Sequence, residues 1–243
     1  MGNGPEARRT PVARLFAGSR IYEWDRPFQT YRASGEGENI VRKMYAAAVL
    51  SLFVLATMAA TAPTLSKADY QSARKYLEST KKNIEEATKG LSEAQWNFKP
   101  GPDRWSVAQV LEHITVSEDY LRGFVTEKVL AAPAAPGRDL AKIDAMVLAM
   151  VPDRSHKFQA PEPLQPKGQF GTPEQTRKHF LESRAKTEAL LKDTPDLREH
   201  AMENPPLGQT LDAYEWILFI AAHSDRHTKQ IKEVEADPNF PKK

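Results

Sequence analysis

The sequence predicts an all-α protein, a four-helix bundle with a long crossover between helices 2 and 3. Four long segments carry apolar residues three and four positions apart, which is the period of an amphipathic helix. A proline-rich stretch at 151–171 separates the second of these segments from the third. No segment alternates as a strand would, and there is no internal repeat. Ligand and metal sites in such bundles form from side chains that face the core.

The composition restricts the chemistry available to this chain. It has 243 residues, 40% of them hydrophobic, and no cysteine. This apolar fraction is enough for a core and excludes wholesale disorder. Without cysteine there is no disulfide framework, thiolate nucleophile or Cys-containing zinc site. Any metal site must therefore use carboxylates or the six histidines.

The first 68 residues show the layout of a secretory signal preceded by an extension. Residues 1–40 have no sustained period, and the signal itself covers 41–68, where two cations precede an apolar stretch. That stretch is shorter than the ~20 residues that cross a bilayer, so we expect no lasting membrane anchor. Because a GUG start codon can encode Val41, we interpret 1–40 as an over-extended, disordered N-terminus. The best cleavage pattern ends at Ala68, which predicts an exported protein, periplasmic or secreted.

The charge distribution gives no case for nucleic-acid binding. The whole chain has a formal charge of +2, but residues 1–68 hold 9 Lys plus Arg and 5 Asp plus Glu. The rest of the chain then holds 25 cations and 27 anions, a net charge of −2. The excess of basic over acidic residues therefore lies in residues 1–68.

The first two long helices are bounded by clear signals. An amphipathic pattern extends from Ser66 to Leu91. Ser106 and Gln109 have the spacing of a capping box, which places the start of the second helix at Ser106. Pro133 marks the latest end of that helix.

A short helical pattern from Asp139 to Met150 precedes the crossover at 151–171. The third helix follows, with a cap at Thr172, proline at its first position and Gln175 at N3.

The third helix ends before Pro195, and 205–208 reads as a turn. The last helix is predicted from Thr210 to about Ala236, followed by a tail at 237–243. The helical domain is thus expected over 69–236.

Three histidines are predicted to face the core. His223 and His227 are four positions apart on the apolar stripe of the last helix, so one ion can reach both imidazoles. His113 lies on the apolar stripe of the second helix. Together they match a three-His metal site with an open position for water. Hydrogen-bonded core histidines are the alternative, although three such groups in one core are costly to bury without a partner.

The remaining candidate residues are assigned to surface or packing positions rather than to the metal site. Ser224 stands where a zinc protease with the HExxH motif has its glutamate, so that mechanism is not available. Glu112 and Asp225 neighbour the predicted ligands, but adjacent helical positions diverge by about 100 degrees, so we expect surface charges. Either could still orient an imidazole. Packing is the expectation for Trp105, Ser117 and Tyr120, and solvated surface for His156, His179 and His200.

These motifs together resemble the DinB-like family. The resemblance rests on WSVAQVLEH at 105–113, Pro-Leu-Gly at 206–208, Glu-Trp at 215–216 and HxxxHxxQI at 223–231, and it covers about 69–236. It implies a four-helix bundle, often dimeric, with a divalent ion held by three histidines. Carried over by motif, the ligands are His113, His223 and His227. Relatives include thiol-dependent S-transferases and proposed metal-dependent hydrolases.

The sequence therefore predicts a divalent-metal-binding protein whose three-His site acts on a small molecule as a hydrolase or transferase. The alternative is a non-catalytic metal-binding or stress-response helical module, and a helical interaction protein without metal comes third. Three histidines suit Zn, Ni, Fe or Cu by ligand type, with Zn, Ni or Fe favoured here. No catalytic residue beyond the metal ligands is assigned. Whether the chain is an enzyme, and whether it forms a homodimer, stays open.

Overall fold

The computed structural model describes residues 64–242 and confirms the all-α bundle. The predicted extension at 1–40 and the signal up to residue 63 lie outside this range. Within it, no helix is both long and apolar enough to span a bilayer. The helices are α1 (Lys67–Ala87), α2 (Glu93–Asn97), α3 (Val107–Phe124), α4 (Leu140–Met150), α5 (Pro173–Asp193) and α6 (Ala213–Glu235).

The predicted helix starts are confirmed by their caps. Ser106 begins α3 and Thr172 begins α5, each in a reciprocal capping box with the glutamine three positions on. Asp139 caps α4. Ser66 caps α1 through the backbone N–H of Asp69, so a signal cleavage after Ala68 would remove this cap.

The end of the first helix differs from the prediction. α1 stops at Ala87, Gly90 takes a φ of 64°, and the short helix α2 follows. Glycine accepts this left-handed conformation without the steric penalty of a Cβ, so it ends the helix there. The crossover at 151–171 is confirmed, with one 3₁₀ turn at Glu162–Leu164.

A β-hairpin precedes the last helix, so the prediction of no strand was wrong. Strands β1 (Ala201–Asn204) and β2 (Gln209–Asp212) pair antiparallel around the predicted turn at 205–208. Each strand has four residues, too few for a two-residue period to be visible in the sequence. The predicted start of the last helix at Thr210 was also wrong, because Thr210 lies in β2.

The true cap of α6 is Asp212, in a reciprocal capping box with Glu215. Both carboxylates are fully buried and are held by Arg138 and Arg198. Burial, with the nearby charge of Asp212, raises the pKa of Glu215 to about 7. The hairpin and α4 are thereby joined to the start of α6.

Four long helices form a ring in which α6 packs on α1 and α3, and α5 packs on the same two helices. α3 and α6 are antiparallel, because His113 lies by His227 while Phe124 lies by Trp216 further along. Two apolar clusters fill the bundle, one including Leu77, Leu211 and Ile217 and the other including Ile114, Phe180 and Ile231.

A buried ion pair at the centre connects all four long helices. Arg184 on α5 has no exposed surface and donates to both carboxylate oxygens of Glu118 on α3, at 2.7 and 2.8 Å. It also donates to the backbone oxygen of Leu77 and the hydroxyl of Thr80 on α1, and to Ser224 on α6, each at 2.8 Å. Every guanidinium nitrogen is satisfied, as a buried charge requires.

Removing one partner of this pair should destabilise the bundle strongly. In Arg184→Met the Glu118 carboxylate stays buried without its counter-charge, so we expect the free energy of unfolding to fall by about 3–5 kcal/mol. Urea unfolding followed by circular dichroism measures this. Lys81→Met is the matched control, since it removes a half-exposed ion pair with Glu188 between α1 and α5 and should cost below about 1 kcal/mol. Equal losses in the two variants would contradict this account.

Candidate metal centre

The structure brings the three predicted histidines together. His113 on α3 meets His223 and His227 on α6, with one ring nitrogen from each residue within 4.8 Å of the others. The Nε2 atoms of His113 and His227 are 3.2 Å apart. Among residues 64–242, no carboxylate joins this group. The site is therefore a cluster of three imidazoles without a carboxylate.

The helix geometry explains this convergence. His223 and His227 are one turn apart on the same face of α6, and that face lies against α3. His113 and His227 are buried, with 3% and 9% of their surface exposed, whereas His223 is only half-buried. The cluster thus opens to solvent on the His223 side.

Hydrogen bonds fix the tautomer of two of the imidazoles. The Nδ1 of His113 lies 2.7 Å from the backbone oxygen of Leu164, in the crossover. The Nδ1 of His227 lies 2.7 Å from Oε1 of Gln230, an oxygen that also accepts from Arg154 at 3.4 Å. Since both partners are acceptors, each Nδ1 carries the proton. Both Nε2 atoms then present lone pairs to each other across 3.2 Å.

Two facing lone pairs repel unless a proton or a cation lies between them. A proton is disfavoured because burial lowers the pKa of His113, against the raising effect of its bond to Leu164. Burial and the neighbouring imidazoles hold the pKa values of His223 and His227 well below 6.5. All three imidazoles are therefore neutral at pH 7 and able to bind a metal.

The ligand spacing also fits a metal ion. Nitrogens bound tetrahedrally to zinc at about 2.0–2.1 Å are roughly 3.3 Å from one another. The observed 3.2 Å between the Nε2 atoms of His113 and His227 is close to this value. The donor set and its spacing thus suit a divalent transition metal.

Aromatic rings surround the cluster. Trp105 lies 4.9 Å from His113 between ring centroids, so it contacts a ligand. Phe219 stacks on His223 at 6.3 Å, and Trp216 and Phe124 continue the row. Ser117, one turn from His113, is fully buried, and its hydroxyl has no hydrogen-bond partner in the described part of the chain. The half-buried side of the site is thus largely apolar.

The assignment of Glu112 as a surface charge was wrong, and His179 and His200 are less exposed than predicted. Glu112 is not a surface charge: only 7% of it is exposed, and it accepts two backbone N–H groups of the crossover. His179 is half-buried against Asp119 and Phe170, and His200 bonds the backbone of Ala132. These burials depend on long-range packing, which helical periodicity does not report.

The other assignments have mixed outcomes. Asp225 is half-buried and pairs with Lys229, so it orients no imidazole. His156 is exposed, as predicted. Tyr120 is 54% exposed and therefore does not pack in the core.

The residues that orient the imidazoles were not predicted. Gln230 is three positions after His227, a spacing that places both on one face of a helix, so a signal was present. Leu164 acts through its backbone oxygen and Arg154 is 76 positions from Gln230 in the chain, so neither leaves a signal in the sequence.

The chain is similar to known proteins over most of the described range. The family model of the DinB superfamily matches residues 76–231. YuaE of Bacillus subtilis (strain 168), an uncharacterized protein, is 31% identical over 149 residues, which cover 60% of this chain and 86% of YuaE.

Among solved structures, one similar chain is YfiT from Bacillus subtilis, described as a probable metal-dependent hydrolase with an unusual four-helix bundle topology. It is 16% identical, with a TM-score of 0.46, over 73% of this chain and 91% of YfiT. The family match spans most of the described bundle and includes all three clustered histidines. The chain therefore belongs to the DinB superfamily.

Proposed function

We propose that this protein binds one divalent transition-metal ion through His113, His223 and His227, and that it uses the ion to hydrolyse a small molecule. The proposal rests on the two Nε2 atoms of His113 and His227, which lie 3.2 Å apart while the Nδ1 atom of each ring lies 2.7 Å from an acceptor oxygen. A cation between them relieves their repulsion, while the lowered pKa values disfavour a proton there. Zn, Ni and Fe are the ions we expect from this donor type.

The neutral ligand set decides what such a site can do. An ion held by three imidazoles keeps its full positive charge, so it supplies Lewis acidity and lowers the pKa of a coordinated water. The chain supplies the rest: His223 marks the accessible side, and Phe219 and Trp105 are aromatic rings beside the ligands. This arrangement suits a substrate with a polar reacting group and an apolar portion.

We favour a hydrolase over a thiol transferase because the signal-like sequence at 41–68 predicts export. An exported protein meets few low-molecular-weight thiols, which are mainly cytosolic, whereas water is always present. The support for export is the signal-like sequence at 41–68. A transferase would instead require a cytosolic location, so recovery of the native protein from the cytosol would favour that branch.

Metal content should depend on the clustered histidines. The variant His223→Ala/His227→Ala loses two of three ligands, so we expect elemental analysis to find about one ion per wild-type chain and almost none in the variant. His179→Ala/His200→Ala is the matched control, because it removes two half-buried histidines elsewhere and should keep the metal. Equal metal content in wild type and the first variant would refute the assignment.

Metal removal should separate a catalytic from a structural role. The bundle has its own apolar core and central ion pair, so we expect a chelator to abolish hydrolysis of ester and amide test substrates without changing the helical circular dichroism. Activity should return when the ion is added back. Collapse of the helix signal on chelation would instead indicate an ion that mainly stabilises the fold, as in a non-catalytic binding module.

Metal affinity should depend weakly on pH near neutrality. Three histidines of ordinary pKa would lose about 30-fold in affinity between pH 7 and pH 6, because protons compete for the ligand nitrogens. Here the pKa values lie below 6.5, so the imidazoles stay neutral to lower pH. We expect a loss clearly smaller than about 30-fold in zinc titrations at the two pH values. A 30-fold loss would show that the histidines titrate normally.

A further inference from the structure

The crossover supplies or contacts the hydrogen-bond acceptors that orient His113 and His227, two of the proposed metal ligands. Its C-terminal half supplies the backbone oxygen of Leu164, which accepts from His113 at 2.7 Å. Its N-terminal half supplies Arg154, which donates to the Gln230 oxygen that His227 also uses. The path of residues 154–164 therefore influences which nitrogen of each ring carries the proton.

Glu112 holds the C-terminal half of this crossover in place. Its Oε1 accepts the backbone N–H groups of Lys167 and Gln169, both at 2.9 Å. A carboxylate that accepts two amides makes charge-assisted bonds, which are about twice as strong as neutral ones. These bonds lie three and five residues after Leu164.

Backbone hydrogen bonds connect residues 167 and 169 to α3 beside a cavity. A cavity of about 510 Å³ lies beside this segment, with Ser106, Gln109 and Glu112 among its lining residues. Lys167 and Gln169 are themselves exposed. The two hydrogen bonds to Glu112 therefore tie the backbone of this segment to α3, next to the stack of Phe170 on His179.

We propose that Glu112 is a positioning residue of the metal centre: by holding residues 167–169, it keeps the Leu164 oxygen on His113 and the His113 Nε2 free for the ion. The part of this inference that concerns the ion rests on the proposed function. The part that concerns the His113 tautomer does not, because the hydrogen bonds exist without an ion. Glu112 is not part of the group of three histidines that could hold an ion.

Two isosteric variants test this role. Glu112→Met keeps the shape of the side chain but accepts no strong hydrogen bond, whereas Glu112→Gln still accepts through its amide oxygen. In metal-free protein, long-range ¹H–¹⁵N NMR should show His113 protonated at Nδ1 in wild type and Glu112→Gln. The methionine variant should show a mixture of tautomers. Glu162→Ala, which removes an exposed carboxylate of the crossover that pairs with Lys167, is the control and should match wild type.

Zinc affinity gives the second readout. We expect the methionine variant to bind zinc about 10–100-fold more weakly than wild type, as is typical when a partner of a metal-binding histidine is lost. The glutamine variant should stay within about threefold of wild type. An unchanged tautomer together with unchanged affinity in Glu112→Met would overturn the inference, even if the wild-type protein binds metal well.

The outcomes separate this inference from the proposed function. Wild-type protein that binds no zinc would refute the metal proposal, while a tautomer change in the methionine variant would still support the role of Glu112. If Glu112→Met does not fold, amide hydrogen exchange of the wild type decides. Slow exchange at Lys167 and Gln169 supports the two bonds, whereas exchange at the rate of an open loop overturns them.

Discussion

The structure depends on the buried pair of Arg184 and Glu118. Its hydrogen bonds reach all four long helices and therefore fix how far α3 and α6 can slide past each other. Ser224, its partner on α6, is the residue after His223, and Glu118 follows His113 by five positions on α3. A shift that broke the pair would also move the ligands apart. The polar centre of the bundle and the histidine cluster therefore share the same constraint.

A second constraint comes from the crossover. Helix packing alone brings the three imidazoles together, but it does not decide which nitrogen carries the proton. The backbone oxygen of Leu164, a residue of the crossover, accepts from His113 and sets the tautomer of that ring. The side-chain oxygen of Gln230 does the same for His227, and it also accepts from Arg154 of the crossover. Glu112 ties its far half to the helix that carries His113. The crossover thus helps to orient His113 and His227 so that the lone pairs of their Nε2 atoms face each other.

The features that depend on local sequence patterns, the helix starts and the inward-facing histidines, were predicted from the sequence. The helix starts at Ser106 and Thr172 followed from capping boxes, and the inward faces of His113, His223 and His227 followed from helical spacing. The hairpin was missed because its strands are four residues long. The roles of Arg184 and Glu112 were missed because their partners are distant in the chain, and a charged residue on a helix is usually solvated. Backbone acceptors such as Leu164 leave no trace in residue type.

We expect three neutral imidazoles, and no carboxylate, to hold the ion. X-ray absorption spectroscopy of the zinc-loaded protein tests it most directly, because imidazole ligands give a characteristic multiple-scattering pattern. We expect three histidine nitrogens at about 2.0–2.1 Å from the zinc and one imidazole fewer in His227→Ala. A spectrum with two or more carboxylate oxygens, or the same number of imidazoles in that variant, would contradict it.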